Sequence, residues 1–327
     1  MKTTHFKTAF GFFSALCITA SIPFGAHAQS WPERTVRVIA PFPAGGPVDT
    51  ATRYLANKLS TALGQSFVVE NVPGAAGGIG MQRLVRADPD GYTLGFAHVG
   101  THAINPHIYS TLDYDPIKDF TPVAQVLEYE NILVVQPKAP YQSVGDLIAA
   151  AKAKPDTLTY GSAGNGASNH LSGVLLSTMS GATFTHVPYK GNAPSLVAVM
   201  AGEVDFMFDL IVTSKPQIEA GKLRALATTG RKRSTELPDV PTVAETIPGY
   251  EVSGWGAIMA PAGTPDAIVQ RVASELEKIV NSDESAELFK RQGFTQAFSP
   301  PQKLTERISH DLKSWGEVVK ASGAAVN

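Results

Sequence analysis

The stretch VRVIAPFPAGGPVDT, Val36 to Thr50, runs an apolar, β-branched segment into three prolines and two adjacent glycines, then into an aspartate placed to open a helix. From Asp49 to Leu63, Leu55, Leu59, Ala62 and Leu63 recur at helical spacing and form one apolar stripe. Gly64 suits the end of that helix, since glycine takes the left-handed conformation freely. SFVVENV then reads as a second strand. Strand, crossover helix and strand in this order define an α/β unit with a mostly parallel sheet.

The same alternation continues down the chain. GGIGMQRLVRADPDG leads to a strand at YTLGFAHVG, and NILVVQP begins a new series with a helix around SVGDLIAAAKAKP. Strands follow at TLTYGSAG, FTHVPYK, DFMFDLIV and LRALATTG. Between the first two, ASNHLSGVLLSTMSG is helical, with Leu171, Val174, Leu175 and Met179 as core positions. After PGYEVSGWGAIMAPAGTP the chain turns amphipathic and helical, and Thr264-Pro265-Asp266 forms a helix start. The two α/β units, each interrupted once, imply a lobe that is left and re-entered, with crossings near 128–133 and 250–258 and a cleft between the lobes. The expected boundaries are 29–130 plus 254–327 for one lobe and 131–253 for the other.

The Phe42-Pro43-Ala44-Gly45-Gly46-Pro47 bend therefore lies at a helix N-terminus, where the first N–H groups have no intrahelical partner and the helix dipole favours an anion. Asp49 is the expected cap, orienting the loop while backbone amides meet the ligand. Taken alone, this loop reads equally as a tight turn with ordinary glycines, since strand-to-helix turns commonly need such residues. A second loop of the same kind, Gly161-Ser162-Ala163-Gly164-Asn165-Gly166-Ala167-Ser168, opens a helix in the other lobe, with Ser162, Asn165 and Ser168 as short polar side chains and Ser168 a second candidate cap. Two amide-rich loops facing one cleft could grip a carboxylate from both sides.

Other chemistries find little support. The first loop lacks G-x-x-x-x-G-K-[ST], and the second reads G-x-x-G-x-G in place of the dinucleotide pattern. His98, Thr101, His102 and Asn105 sit in a third loop, HVGTHAINP, but Val99-Gly100 between the histidines and the lack of H-E-x-x-H argue against zinc, leaving polar lining or satisfied loop histidines. For His170, a buried imidazole bonded to backbone is the commoner outcome, and His186 is open in the same way. No G-x-S-x-G elbow is present, and Asp113/Asp115 and Asp205/Asp209 suit turns and cleft edges better than an acid/base couple. No metal or cofactor is expected.

The N-terminus has the form of an export signal: Lys2 and Lys7, the apolar AFGFFSALCITASI, and an A-x-A site implying cleavage after Ala28. The single cysteine, Cys17, falls inside it, so the exported chain would carry no thiol. Removing Lys2 and Lys7 from 27 basic residues, against 29 acidic ones, leaves a net charge near −4. No basic block or polybasic face stands out, which argues against nucleic acid as a partner.

PFPAGGPVDT, ENVPGAAGGIG, ADPDGYTL, GTHAINPHIY, YDPIKDFTPVA, YGSAGNGASNHL, HVPYKG, AGEVDFMFD and AGKLRALATTG resemble, in order, the solute receptors of the tripartite tricarboxylate transporters, the Bug family, over about residues 31–320. The resemblance implies an α/β, bilobal periplasmic binding protein of type II-like form, with two crossover segments and a C-terminal helical segment. It implies a monomer that closes on a small carboxylate and delivers it to membrane transporter subunits. In the family, the loops matching Phe42–Gly46 and Gly161–Ser168 hold a carboxylate through backbone groups and ordered waters. Thr101, the Pro188-Tyr189-Lys190-Gly191 turn and Asp209 match other cleft positions. Leu210 stands where the family more often has asparagine.

Phe206, Phe208 and Leu210 make the region around Asp209 apolar, which inclines the ligand towards a dicarboxylate with a hydrophobic middle, aromatic ones such as terephthalate included, although strand alternation could send two of the three into the core. Two further readings stay open: a secreted hydrolase using His98, His102 or His170, and a ligand sensor for a signalling partner.

Overall fold

The computed structural model describes residues 1–3, 31–234 and 236–322. The chain divides into two units, Met1–Trp31 and Pro32–Asn327, and the fold below is that of the second. Apart from its first three residues, the expected export signal, with Cys17 and the cleavage point after Ala28, lies outside the described residues.

The first unit of the sheet follows the opening motif. β1 (Val36–Ala40) leads into α1 (Pro47–Leu63), then β2 (Phe67–Asn71), α2 (Gly78–Val85) and β3 (Thr93–His98). β1 pairs in parallel with both β2 and β3, so the three C-terminal ends lie along one edge. Ala51, Leu55, Ala56 and Leu59 of α1 are buried, whereas Ala62 in its last turn is exposed. Gly64 closes α1 in the left-handed conformation, as its position predicts.

After the short α3 (Asn105–Ile108), β4 runs from Phe120 to Val135, and NILVVQP is only its second half. Phe120–Glu130 pairs antiparallel with β9 (Ser253–Pro261), while Asn131–Val135 pairs antiparallel with β7 (Phe206–Leu210) and β8 (Arg224–Thr228). One strand thus changes partners at Glu130/Asn131, inside the expected crossing. The sheet is mixed, where a mostly parallel one was expected: the connecting strands β4 and β9 make every antiparallel contact with the two parallel sets.

The second parallel set consists of β5 (Thr159–Ser162), β6 (Thr185–Pro188) and β7, with β5 in the middle. α4 (Val144–Ala153), α5 (Ser168–Ser180), α6 (Asn192–Ala201) and α7 (Ile211–Glu219) connect these strands. Phe206 and Phe208 are fully buried; Phe206 packs against Tyr160 and Phe184, and Phe208 stacks on Tyr250. Alternation therefore sends both phenylalanines into the core, and the case for an apolar ligand middle loses its basis. Leu171 and Val174 are core as expected, but Met179 at the far end of α5 is 38% exposed.

α8 (Asp266–Val280) starts at the Thr264-Pro265-Asp266 signal and buries Val269, Val272, Ala273, Leu276 and Val280. α9 (Asp283–Arg291), β10 (Thr295–Ser299, paired with β4) and α10 (Pro301–Ser322) complete a bilobal α/β fold. Among the described residues no helix is long and apolar enough to cross a membrane.

Candidate functional site at the glycine loops

Both glycine loops leave the C-terminal end of the central strand of a parallel set and enter a helix N-terminus: β1 into α1, and β5 into α5. This is where open α/β sheets bind ligands, because the diverging connections leave a crevice there.

In the first loop the helix cap is Gly46, with Pro47 following, and not the expected Asp49. Asp49 is the third helical residue, where its carboxylate turns back over the loop. Its Oδ2 accepts from Gly45 N–H at 2.9 Å and Arg53 Nε at 3.0 Å, and its Oδ1 accepts from Asn71 Nδ2 at 2.7 Å. Asn71 Nδ2 also donates to the Phe42 carbonyl at 3.0 Å. Burial alone would raise the Asp49 pKa, but the bonds from Arg53, Gly45 and Asn71 outweigh it and hold the carboxyl below its usual range. Gly45 N–H is thus already committed. The first helical bond is Thr50 N–H to Gly46 carbonyl at 2.9 Å, and the N–H groups of Ala44, Gly46, Val48 and Asp49 meet no acceptor among the described residues.

The second loop is built alike. Its cap is Ala167 and Ser168 is the first helical residue, so Ser168 is not the cap. Ala163 N–H donates to Asn169 Oδ1 at 3.2 Å, Gly164 N–H to Ser162 Oγ at 3.0 Å, Gly166 N–H to His170 Nδ1 at 3.1 Å, and Ala167 N–H to the Gly164 carbonyl at 3.3 Å. The N–H groups of Asn165, Ser168 and Asn169 find no acceptor among the described residues. Gly164 at φ +126° and Gly166 at φ +80° turn the peptide planes that make this possible. Tyr189 joins the loop by donating its N–H to the Ser162 carbonyl at 2.9 Å. Lys190 beside it is exposed, and Gly191 caps α6 at φ +113°.

Around the first loop, Phe42 packs on the His98 ring at 4.9 Å between centroids. The backbone of Gly74, Ala75, Ala76 and Gly77 runs through four successive positive φ values, and a Cβ on Gly77 would come within 2.8 Å of Thr101 Cγ2. Asn105 Nδ2 supports this strained turn by donating to the Ala76 carbonyl at 3.3 Å. Gly166 of the second loop lies against α3: a Cβ there would stand 3.2 Å from Ile108 Cδ1 and 3.7 Å from Asn105 Oδ1.

Three expected ligand contacts are placed behind the loops. Thr101 is fully buried, with its Oγ1 bonded to the His98 carbonyl at 2.9 Å and to His102 Nδ1 at 2.9 Å. His102 is fully buried among Phe120, Tyr114 and Trp255, an aromatic setting that pushes its pKa down to about 3. Asp209 is fully buried and saturated by Asn192 Nδ2, Thr213 Oγ1 and Ser214 Oγ; burial raises its pKa against those bonds. None of the three offers surface to a ligand in this conformation. His98 is held near 4 by burial, and its Nδ1 accepts from Gly100 N–H at 3.0 Å. His170 is backbone-bonded, as its place in the helix predicted.

Asn71, Asn169 and Asn192, which hold these loops, drew no notice in the sequence. Asn169 and Asn192 stand at helix starts, where asparagine is common, and Asn71 ends β2, so only the partners distinguish a brace from a turn.

The model of the tripartite tricarboxylate transporter family receptor matches residues 51–324. The chain belongs to this receptor family. Protein BugT of Bordetella pertussis is 33% identical over 326 residues, covering 99% of both chains. The solved structure of R. palustris Rpa4515 with adipate is 38% identical, covers 90% of this chain and 98% of that one, and superposes with a TM-score of 0.81. MatC from Rhodopseudomonas palustris with bound malate is 32% identical, covering 88% and 100%, with a TM-score of 0.77. As a family receptor, this chain has its two glycine loops in a protein class built for capturing solutes.

Proposed function

We propose that this receptor captures a small dicarboxylate between its lobes in the periplasm, after export and cleavage behind Ala28, and passes it to tripartite tricarboxylate-type membrane subunits. In this proposal the lobes are 29–130 plus 254–327 and 131–253, the receptor is a monomer, and it performs no chemistry on the ligand. The observation that carries the reading is the pairing of two glycine loops, one per parallel set, each presenting unpaired N–H groups at a helix start. The solved relatives holding adipate and malate support an acyclic dicarboxylate over an aromatic one.

Magnitudes favour a closed cleft. Micromolar affinity needs about −8 kcal/mol. One exposed helix end offers an anion about 0.3–1 kcal/mol, and at most about 2 when partly buried. Hydrogen bonds to a charged group give about 1.5–3 kcal/mol each. A single loop is therefore too weak, and donors from both lobes shut away from water suffice. Contacts proposed for the ligand are the free N–H groups of Ala44 and Gly46 and of Asn165 and Ser168, with Phe42, Gly45, Gly164 and Gly166, whose backbone groups are already bonded, shaping the two loops, and Tyr189, Lys190 and Gly191 at the rim.

Thermal shift of the refolded, ligand-free protein with adipate, malate, citrate, terephthalate, glutamate and nicotinate tests this. A binder raises the midpoint by mass action. Adipate or malate should give the largest shift; a shift with monocarboxylates or sugars alone would contradict the dicarboxylate reading.

A further inference from the structure

The hydrogen bonds behind the second loop form a chain with a direction. Asp209 is fully buried and its Oδ2 faces the hydroxyls of Thr213 and Ser214, so a proton that burial favours would sit there and Oδ1 stays the accepting atom. It therefore receives the amino group of Asn192, at 2.8 Å. Asn192 is left to present its oxygen to Asn169 Nδ2 at 2.7 Å. Asn169, its amino group committed, presents Oδ1 to Ala163 N–H at 3.2 Å and His170 N–H at 3.0 Å. The polarity of both amides follows from the acceptor-only end of the chain.

Resting on the ligand-binding reading of this loop, we infer that the side chains of Asp209, Asn192 and Asn169 act as positioning groups, which aim the peptide planes of the second loop at an anionic ligand without themselves touching it. With Ala163 N–H drawn down to Asn169 and the Ser162 carbonyl held by Tyr189 N–H, the next free amide, Asn165 N–H, is left unpaired. A buried carboxylate is a costly way to fill space, since apolar residues of similar volume often do it at no loss. Its use at the end of a chain that terminates on loop amides fits orientation better than packing. The first loop has an independent counterpart, in which the buried Asp49 fixes Gly45 N–H directly and, through Asn71, the Phe42 carbonyl.

The direction of the chain can be reversed by mutation. Asn169→Asp keeps an acceptor for Ala163 and His170 but sets oxygen against Asn192 Oδ1; turning Asn192 over only moves that conflict to Asp209. Adding Asp209→Asn lets position 209 donate to a turned Asn192, which then donates to position 169, and the chain is whole again with opposite polarity. Titration calorimetry with adipate and amide hydrogen exchange over 162–167 in the ligand-free protein read the two arms. Asn169→Asp should weaken adipate at least tenfold and speed exchange, and the double variant should recover both to within about threefold. A purely structural role would lower the melting midpoint and leave the adipate Kd of the folded protein unchanged. The inference is overturned if Asn169→Asp matches wild type in both arms or if the double variant is no better than the single one. Should the single variant not fold, a double variant that folds supports the relay and one that does not overturns it. If the wild-type protein binds neither adipate nor malate, the ligand reading fails while the exchange arm still decides the relay.

Discussion

The imidazole rings of His170 and His186 stack 4.1 Å apart between centroids directly beneath the second glycine loop. Each holds a loop atom as a neutral ring: His170 Nδ1 accepts from Gly166 N–H at 3.1 Å, and His186 Nε2 meets Ser162 Oγ at 2.6 Å. Burial lowers the His170 pKa to about 3, with the neighbouring His186 adding to the effect, and lowers that of His186 to about 4.

The stability of the receptor should therefore depend on acid. Unfolded histidine titrates near 6.5 and the folded pair lower, so the unfolded chain binds more protons below that value. The stabilisation is fully present above pH 6.5 and is lost as pH falls from there through about 4 for His186 and about 3 for His170. Each such histidine contributes a slope of up to about 1.4 kcal/mol per pH unit in that window. Urea unfolding at pH 7.5, 6.0 and 4.5 measures it, and His186→Gln should flatten the slope by up to one proton. A stability independent of pH across this range would contradict the neutral pair.

Gly46→Val should fold and fail to bind. Gly46 sits at φ −79° and ψ 169°, extended backbone that valine adopts readily, and a Cβ there would meet only the Pro43 carbonyl at 3.7 Å. The backbone does not require glycine at this position, so the bare surface is what a ligand would use. The expected result is a melting midpoint within a few degrees of wild type and at least a tenfold loss of adipate affinity by calorimetry.

Much of the fold was legible in the sequence. The strand-to-helix unit around Val36–Leu63, the helix start at Asp266 and both glycine loops stand where hydrophobic period and glycine placement put them. The extent of β4 was not, because its two halves belong to different partner sets and its charged middle, Glu128 to Glu130, looks like a break. α6 and α7 were also missed, being short and, in α7, interrupted by Pro216. At the site, the loops could be found, but the full burial of Thr101, His102 and Asp209 could not be read. A polar residue beside a glycine loop can face the cleft or brace the loop from behind, and only its partners decide which.

Asp49→Ala should harm both fold and binding. The change removes the acceptor of Gly45 N–H and one of the two acceptors of Asn71 Nδ2, which keeps the Phe42 carbonyl, and hydrogen bonds to a charged group are worth about 1.5–3 kcal/mol. Urea denaturation should show a loss on the order of 2 kcal/mol, with Asp49→Asn losing less. Equal stability of Asp49→Ala and wild type would mean the loop holds itself.

Lys290 of α9 and Lys215 of α7 share Glu236, at 2.9 and 3.0 Å. In the proposed division the first lies in one lobe and the other two in the second. Lys290 is 59% exposed, so Lys290→Ala should cost the fold about 0–1 kcal/mol. Its visible effect should be on closure: a larger radius of gyration in ligand-free solution scattering at low salt, converging with wild type at 1 M salt as screening removes the bridge. No difference at low salt would show that the pair bridges nothing of consequence.

The most direct measurement is a crystal structure with adipate bound. The account predicts one carboxylate lying within hydrogen-bond reach, about 2.8–3.2 Å directly or through one water, of N–H groups from both the Ala44–Asp49 and the Asn165–Asn169 segments, with Asp209 and His102 out of contact. A carboxylate held by histidine rings, by a metal ion, or by one lobe alone would contradict it.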